Sequence, residues 1–537
     1  MIGREFSLKL LNAVAKLPER SVRTAVDRLL QSGLLVQTSE SNSHTFMFKH
    51  ALVQDEAYAS LLRADRRTIH IRTAEALCGD LADGAKAAPE IVAHHYTQGG
   101  QIKPAIDYWA RAGRSAGERF AFAEAGTHLQ IALKLLAELP EGLQRDELEL
   151  ELQLQHALGN VLIAAKGFGA TETGFAFKRS LELCRKFEGS PQIVTVINGI
   201  IGVHLMREEF EQARILAEGL VARGEKQHDA PQQLMGHRAF GMSLFYMGNF
   251  VDACDHLRAA IELYDATPLT PLATVFSQDQ KATAQAYLAL AFILRGDIRR
   301  GLELGHDAAA YAERLRHPHS LAYVLAFLAG AYVLGNEPDA ARPIAERTIA
   351  ISSEHGFPLW LAGARLMRGW TLVELGGSEQ GLEEIRHSMI ALETTGALSW
   401  VQFARYLLAQ ALAKAGQFRE AAQLVDQTLA ALASTSGRWC EAELHRLRGD
   451  LLLRCDEFAA AEACYEDAIA VAERQGARLW QLRAANGLAA CWHIQGKTLQ
   501  ALDRLARLCA SFDESIAGAD LERAKALLVA TDSDSTK

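Results

Sequence analysis

The sequence predicts an all-α protein: a right-handed superhelical solenoid of tetratricopeptide-like helical hairpins, with a small winged-helix module at its N-terminal end. Three observations predict it. A phrase in which a small residue follows a Phe by three positions recurs, with clear copies at Phe210 and Ala213, Phe250 and Ala253, Phe418 and Ala421, and Phe458 and Ala461. Degenerate copies end on Gly301, Ala341, Gly381 and Ala501, so the steps between successive small residues are 40, 48, 40, 40, 40, 40 and 40. Finally, Gly248, Gly296, Gly376, Gly416 and Gly496 precede the phrase, while Gly356, Gly396, Gly437 and Gly476 fall about half a period away. Each period therefore reads as two helices.

The small residues lie early in a helix, where Ala or Gly allows an antiparallel neighbour to approach closely and the preceding Phe fills the groove between the two. Apolar stripes such as Leu257, Ile261 and Tyr264, or Tyr465, Ile469 and Ala472, continue at helical spacing. Phe418→Ala is expected to cost about 3–5 kcal/mol if that ring is buried in its groove. Trp360, Trp400, Trp439 and Trp480 stand close behind the second set of glycines, placed to wedge one hairpin against the next. One hairpin cannot bury both of its faces, but a stack can.

Taken in order, residues 1–62 read as the winged-helix-like module with its closing helix. Phe6 to Lys16 and Ser21 to Ser32 are two helices, the second capped at Ser21 and stopped by Gly33. Leu34 to Gln37 and Thr45 to Phe48 are strands joined by a polar turn through Glu40 to Ser43. Arg20, Arg23 and Arg28 give the second helix a basic edge that could touch nucleic acid, but Glu19 and Asp27 dilute it, and a packing role is the expectation. Residues 63–104 form a helical connector carrying Arg63, Arg66, Arg67, His70 and Arg72. His94 and His95, side by side on a helix, point about 100° apart and make a poor shared metal site. Residues 105–206 form the first, irregular hairpins, with Gly167 and Gly169 at a turn. Residues 207–515 form the regular solenoid, and an insertion over 266–276 with Pro268 and Pro271 explains the single long step. Residues 516–537 are a terminal helix and a polar tail, disordered from Thr531.

Composition and motifs narrow the function. At 537 residues, 49% hydrophobic and with only 12 Pro, the chain can build an extended helical core. A net charge of -9 excludes a general polybasic footprint. The 8 cysteines form no CxxC pair and read as free thiols in a reducing compartment. No signal peptide or membrane-length apolar run is visible, so a cytoplasmic location is expected. There is no GxxxxGK[ST], HExxH or GxSxG, and Asp450, Asp456, Glu457 and Glu462 cluster without a mechanism that needs them. The expectation is a chain that is not an enzyme, needs no cofactor or metal, and binds a protein, a peptide or a small effector along the solenoid. Nucleic acid and membrane are not expected partners.

The stretch from Phe46-Met47-Phe48-Lys49-His50-Ala51-Leu52-Val53-Gln54-Asp55-Glu56-Ala57-Tyr58 through Leu62 resembles the segment that closes the ATPase module of large bacterial multidomain signal-transduction ATPases. The resemblance continues through Pro89 to Tyr96, Ala105 to Gly113, Leu158-Gly159, Trp439 to Asp450 and Ala461 to Ala477. Such proteins often join a class III adenylate/guanylate cyclase domain and an ATPase to a tetratricopeptide-like region. The resemblance implies the regulatory half of such a protein, either a truncated product or a separate partner. The P-loop, acidic Walker B strand and cyclase aspartates of the family have no counterparts here to carry ATP-binding or cyclase activity over.

Overall fold

The computed structural model describes residues 3–38, 45–79, 87–139, 144–187, 190, 192–267, 278–510 and 518–534. The chain divides into two compact units, Met1–Leu158 and Gly159–Lys537.

The first unit opens with β1 (Glu5–Ser7), α1 (Leu8–Ala15), α2 (Glu19–Gln31), β2 (Leu35–Gln37) and β3 (Thr45–Phe48). The three strands form an antiparallel sheet in the order β1-β3-β2, with Phe6 opposite Phe46 and Val36 opposite Met47. Phe6, Leu8, Val22, Val26, Leu35 and Phe46 make its core. This is the winged-helix module, with two corrections to the sequence reading. Phe6 belongs to a strand, and the Ser7 side chain, accepting from Leu10 N at 3.2 Å, starts the helix at Leu8, two residues later than expected. Ser21 is no cap either: α2 begins after Pro18, whose carbonyl already accepts the Ser21 N–H. The turn expected at Glu40 to Ser43 lies outside the described residues.

The unit continues with α3 (Ala51–Ala59), α4 (Arg63–Cys78), α5 (Pro89–Gln98), α6 (Ile102–Glu118), α7 (Phe122–Ala137) and the start of α8 (Arg145–Lys166). Arg66, part of the basic string, closes the C-terminal end of α3 by donating to the carbonyls of Leu61 (2.9 Å) and Ala59 (2.7 Å) while lying over the Tyr58 ring. Pro140 and Gly142 of the expected linker lie outside the described residues.

The second unit is built from helical hairpins. After the last turns of α8 come α9 (Thr171–Cys184), α10 (Ile193–Met206), α11 (Phe210–Gln227), α12 (Ala230–Tyr246), α13 (Phe250–Ala266), α14 (Gln280–Leu294) and α15 (Ile298–Arg314). They are followed by α16 (Pro318–Leu334), α17 (Pro338–His355), α18 (Pro358–Glu374), α19 (Ser378–Thr394), α20 (Leu398–Lys414) and α21 (Phe418–Leu432). The array ends with α22 (Glu441–Leu453), α23 (Phe458–Gln475), α24 (Arg478–Ile494), α25 (Thr498–Ala510) and α26 (Ala519–Asp534). Thr531 to Asp534 therefore close α26 and do not begin a disordered tail. The insertion with Pro268 and Pro271 lies outside the described residues.

The turn inside each hairpin has one form. Gly416 takes a left-handed φ of +80°, and the next N–H, of Gln417, returns to the Leu412 carbonyl at 2.9 Å. In copies that lack the glycine, Glu208, Asn336 and Asp456 adopt the same left-handed conformation, so the geometry repeats where the residue type does not.

The two helices of a hairpin differ in kind. α15, α19 and α21 bury one face only, as amphipathic helices do. In α14 every residue from Ala282 to Leu294 is buried, and α16 is nearly the same. A helix apolar all round needs neighbours on every side. The first helices of the hairpins find them across the winding: α10 packs on α20, and α14 on α24. Backbone groups also meet, since Arg438 and Trp439 N–H donate to the Tyr246 carbonyl, and Gly169 approaches Gly396 so closely that neither could carry a Cβ. The inner side of this unit is a packed core. Among the described residues no helix is long and apolar enough to cross a membrane.

Candidate functional site

Aromatic rings from the first helices fill that inner side. Trp360 lies 6.1 Å from Trp400 and Trp439 lies 6.3 Å from Trp480, each pair joining successive hairpins. Trp439 also meets Phe245, and Trp480 meets Phe250, across the winding. Tyr287, Tyr323 and Phe327 continue the column, with Tyr246 and Tyr287 hydroxyls 2.8 Å apart. The repeat spacing placed the tryptophans close behind the glycines, and they lie at the start of the first helices except Trp439, which is in the turn before α22. That spacing carried no information about rings 194 and 230 positions away, as Phe245 is from Trp439 and Phe250 from Trp480.

The small repeat residues lie at the crossing of the two helices of a hairpin. Ala213, Ala253, Ala341, Ala421 and Ala461 are fully buried, and a Cβ on Gly381 would fall 2.6 Å from the Gly369 carbonyl. The side chain of Ala501 lies outside the described residues. The aromatic positions are not equivalent. Phe210 and Phe250 are fully buried because rings from later hairpins cover them. Phe418 and Phe458 are only half-buried, Phe418 with the Arg454 guanidinium over its ring. The condition attached to the expected cost of Phe418→Ala, a ring buried in its groove, is therefore met only in part. Arg20, Arg23 and Arg28 are exposed on α2, beside the equally exposed Glu19 and Asp27.

A cavity opens beside the aromatic column, leaving about 40 Å³ for the centres of water molecules, enough for a few of them. Its walls include Asn198 and Gly202 of α10, Arg238 of α12, Tyr287, Tyr323 and Trp400. Gly199 and Gly202 keep α10 bare there: a Cβ on either would fall within 2.6 Å of the Phe177 or Phe168 ring. Phe245, Tyr246, Trp439 and Met367 line a second, almost wholly apolar cavity that shares Tyr287, Phe327 and Trp400 with the first.

Arg238 is the unusual wall. It is 7% exposed and has no carboxylate partner among the described residues. Its Nη2 donates to Asn198 Oδ1 at 2.5 Å and its Nη1 meets Met242 Sδ at 3.0 Å, while Nε has no partner. Tyr323 Oη, Gln278 Nε2 and Gln280 Oε1, all of residues on the same cavity, are also buried without partners. Burial pushes the Arg238 pKa down, against the attraction of the Tyr323 and Tyr287 oxygens. An arginine nevertheless stays charged.

Two nearly buried arginines of the unit, Arg446 and Arg483, show what satisfaction looks like. Glu443, fully buried, accepts from Arg446 Nε and Tyr406 Oη at 2.9 Å each, and Arg483 lies 3.7 Å away. Arg446 also pairs with Asp450, which accepts from Tyr465 at 2.6 Å. Arg483 reaches Asp520 and the Leu334 carbonyl, each at 2.6 Å. Of the acidic residues singled out in the sequence, Asp450 thus belongs to a structural network, and Glu462 pairs with Lys497.

In the first unit His70 and His95 are buried and hydrogen-bonded through their Nδ1 atoms at 2.8 Å, with Tyr58 Oη 3.2 Å from His70 Nε2. Burial, then neighbouring histidines, lowers both to a pKa of about 4. His94 is exposed beside them. Among the described residues no group of His, Cys, Asp and Glu is placed to hold a metal.

The fold and this interior define a class: a tetratricopeptide-like helical-hairpin solenoid with an N-terminal winged-helix module. No family model matches the chain. It is similar to the uncharacterized protein R02095 of Rhizobium meliloti (strain 1021), 24% identical over 491 residues that make up 90% of this chain and 47% of that protein. The chain therefore spans about half the length of the curated relative it matches. Among solved structures it is similar to a Rap protein complexed with competence and sporulation factor, at a TM-score of 0.45, 11% identity, and 70% of this chain against 99% of that one. It is also similar to NprR in complex with its cognate peptide NprX, at a TM-score of 0.43, 13% identity, and 66% against 99%. Aspartyl phosphate phosphatase F from Bacillus subtilis is a third, at a TM-score of 0.39, 15% identity, and 70% against 95%. This last finding corrects one expectation: a phosphatase stands among the similar structures, so a helical-repeat architecture gives no ground for declaring the chain not to be an enzyme.

Proposed function

We propose that the chain is a ligand-sensing regulatory module whose second unit binds an effector or a peptide, and that it serves a signal-transduction ATPase of the kind its sequence resembles. The observation that supports the sensing role is the interior cavity, where a buried cationic side chain and two further unpartnered donors share one space with aromatic walls. Ligand sites are concave, largely apolar and equipped with a few convergent polar groups. Helices from early and late hairpins meet around this one, so an occupant would bias how tightly the unit is wound. The peptide-complexed Rap and NprR structures make a peptide the natural second candidate for that occupant.

The test is hydrogen exchange and tryptophan fluorescence of the full chain, with peptide and small-molecule fractions of a bacterial extract added separately. Binding at the cavity is expected to slow exchange in α10, α12 and α16 and to shift the emission of Trp360 and Trp400. If neither fraction changes either readout, the sensing role is wrong.

A further inference from the structure

Four buried atoms without a partner belong to residues on the wall of the Arg238 cavity: Arg238 Nε, Tyr323 Oη and Gln278 Nε2, which can donate, and Gln280 Oε1, which accepts. Three donors, one of them cationic, against one acceptor call for a ligand group rich in acceptors, and a carboxylate accepts with both oxygens. The charge points the same way. A buried guanidinium without a counter-ion carries a desolvation cost that the Glu443 network removes for Arg446 and Arg483, whereas Arg238 has only an amide oxygen and a thioether. The surroundings restrict the rest of the ligand. Beyond the shared walls Tyr287, Phe327 and Trp400 lies an apolar cavity with almost no polar surface.

We infer that Arg238 anchors a binding site for a small carboxylate with an apolar or aromatic body, its head on Arg238, Tyr323 and Gln278 and its body against Tyr287, Phe327 and Trp400. The inference rests on the reading of this interior as a ligand site and names the chemical class of the ligand. Asn198 is a positioning residue: its oxygen holds Nη2 and so fixes the guanidinium on the cavity wall. A charge-assisted hydrogen bond from the free Arg238 Nε to a carboxylate is stronger in such low-dielectric surroundings than in water.

The experiment uses the full chain with benzoate, phenylacetate and hexanoate as probes, benzamide as the uncharged isostere, and acetate and inorganic phosphate as the anions without an apolar body. Calorimetry and thermal unfolding are the readouts. The aromatic or alkyl carboxylates are expected to bind and raise the unfolding midpoint, with benzamide at least tenfold weaker. Arg238→Met is expected to lose that response while unfolding no earlier than the parent without ligand, because it removes an uncompensated buried charge. Tyr323→Phe, which deletes one donor and keeps the ring, is expected to weaken benzoate severalfold and carries the test should Arg238→Met fail to fold. Benzamide binding as well as benzoate, phosphate binding in preference to every carboxylate, or Arg238→Met binding unchanged would each overturn the inference. If no probe binds but a peptide fraction still shifts Trp360 and Trp400, the carboxylate inference fails and the sensing role stands. Silence of both fractions and all probes would remove both.

Discussion

Replacing Gly169 by Ala tests the claim that the second unit is wound until distant turns touch. An ideal Cβ at Gly169 would sit 2.0 Å from the Gly396 carbonyl oxygen and 2.3 Å from its carbon. Ordinary contact begins near 3.4 Å, so the two turns would have to part by about 1.4 Å. Both partners are backbone, and no rotamer change can relieve the overlap. Parting would also pull the Gly169 carbonyl from Arg207, whose Nε and Nη2 both donate to it at 3.2 Å. Overpacking together with a weakened charged hydrogen bond amounts to roughly 2–4 kcal/mol. Gly219→Ala is the control. It lies exposed within α11 with nothing near its Cβ, so the same substitution should stabilise by about 0.5–1 kcal/mol. Urea unfolding followed by tryptophan emission reads the correct unit, since six of the seven tryptophans, all but Trp109, belong to it. Equal midpoints for the two variants, or a Gly169→Ala protein as stable as the parent, would refute the close approach.

Three further outcomes are expected. Glu443→Ala leaves Arg446 and Arg483 with Asp450 and Asp520 as their remaining carboxylates and removes the acceptor of the buried Tyr406 hydroxyl, and should destabilise the second unit by about 1–3 kcal/mol, measured by the same unfolding curves. Phe210→Ala should cost about 3–5 kcal/mol, and Phe418→Ala, half-buried and covered by Arg454, clearly less; equal losses would mean that the covering rings add nothing. His70 and His95 are neutral in the fold, with pKa values of about 4, while the unfolded chain takes up protons below about 6.5. Unfolded chains therefore bind more protons between those values. The contribution of the pair is complete above pH 6.5 and is lost as pH falls toward 4. Hydrogen exchange in α4 and α5 should accelerate over that window, and a His70→Phe, His95→Leu double variant should flatten the dependence.

The sequence alone determined the local architecture. The 40-residue steps and the glycines placed the hairpins within a few residues of where they lie, because a left-handed turn and a close helix crossing each need a residue type that is visible in one dimension. Where other residues adopt the same turn, as Glu208, Asn336 and Asp456 do, that signal was absent. The β1 strand was hidden for a related reason: three residues give almost no periodicity, and Phe6 becomes a strand residue only when β3 supplies its partner. The tertiary structure alone decided what the inner side of the second unit is. Long-range burial has no period, so nothing in the phrase Phe-x-x-Ala distinguishes Phe210, covered by a ring from another hairpin, from Phe418, which is open to an arginine. The same holds for Arg238. In sequence it is one of 56 basic residues; winding the unit removes it from water and withholds a carboxylate, and only that makes it a candidate site.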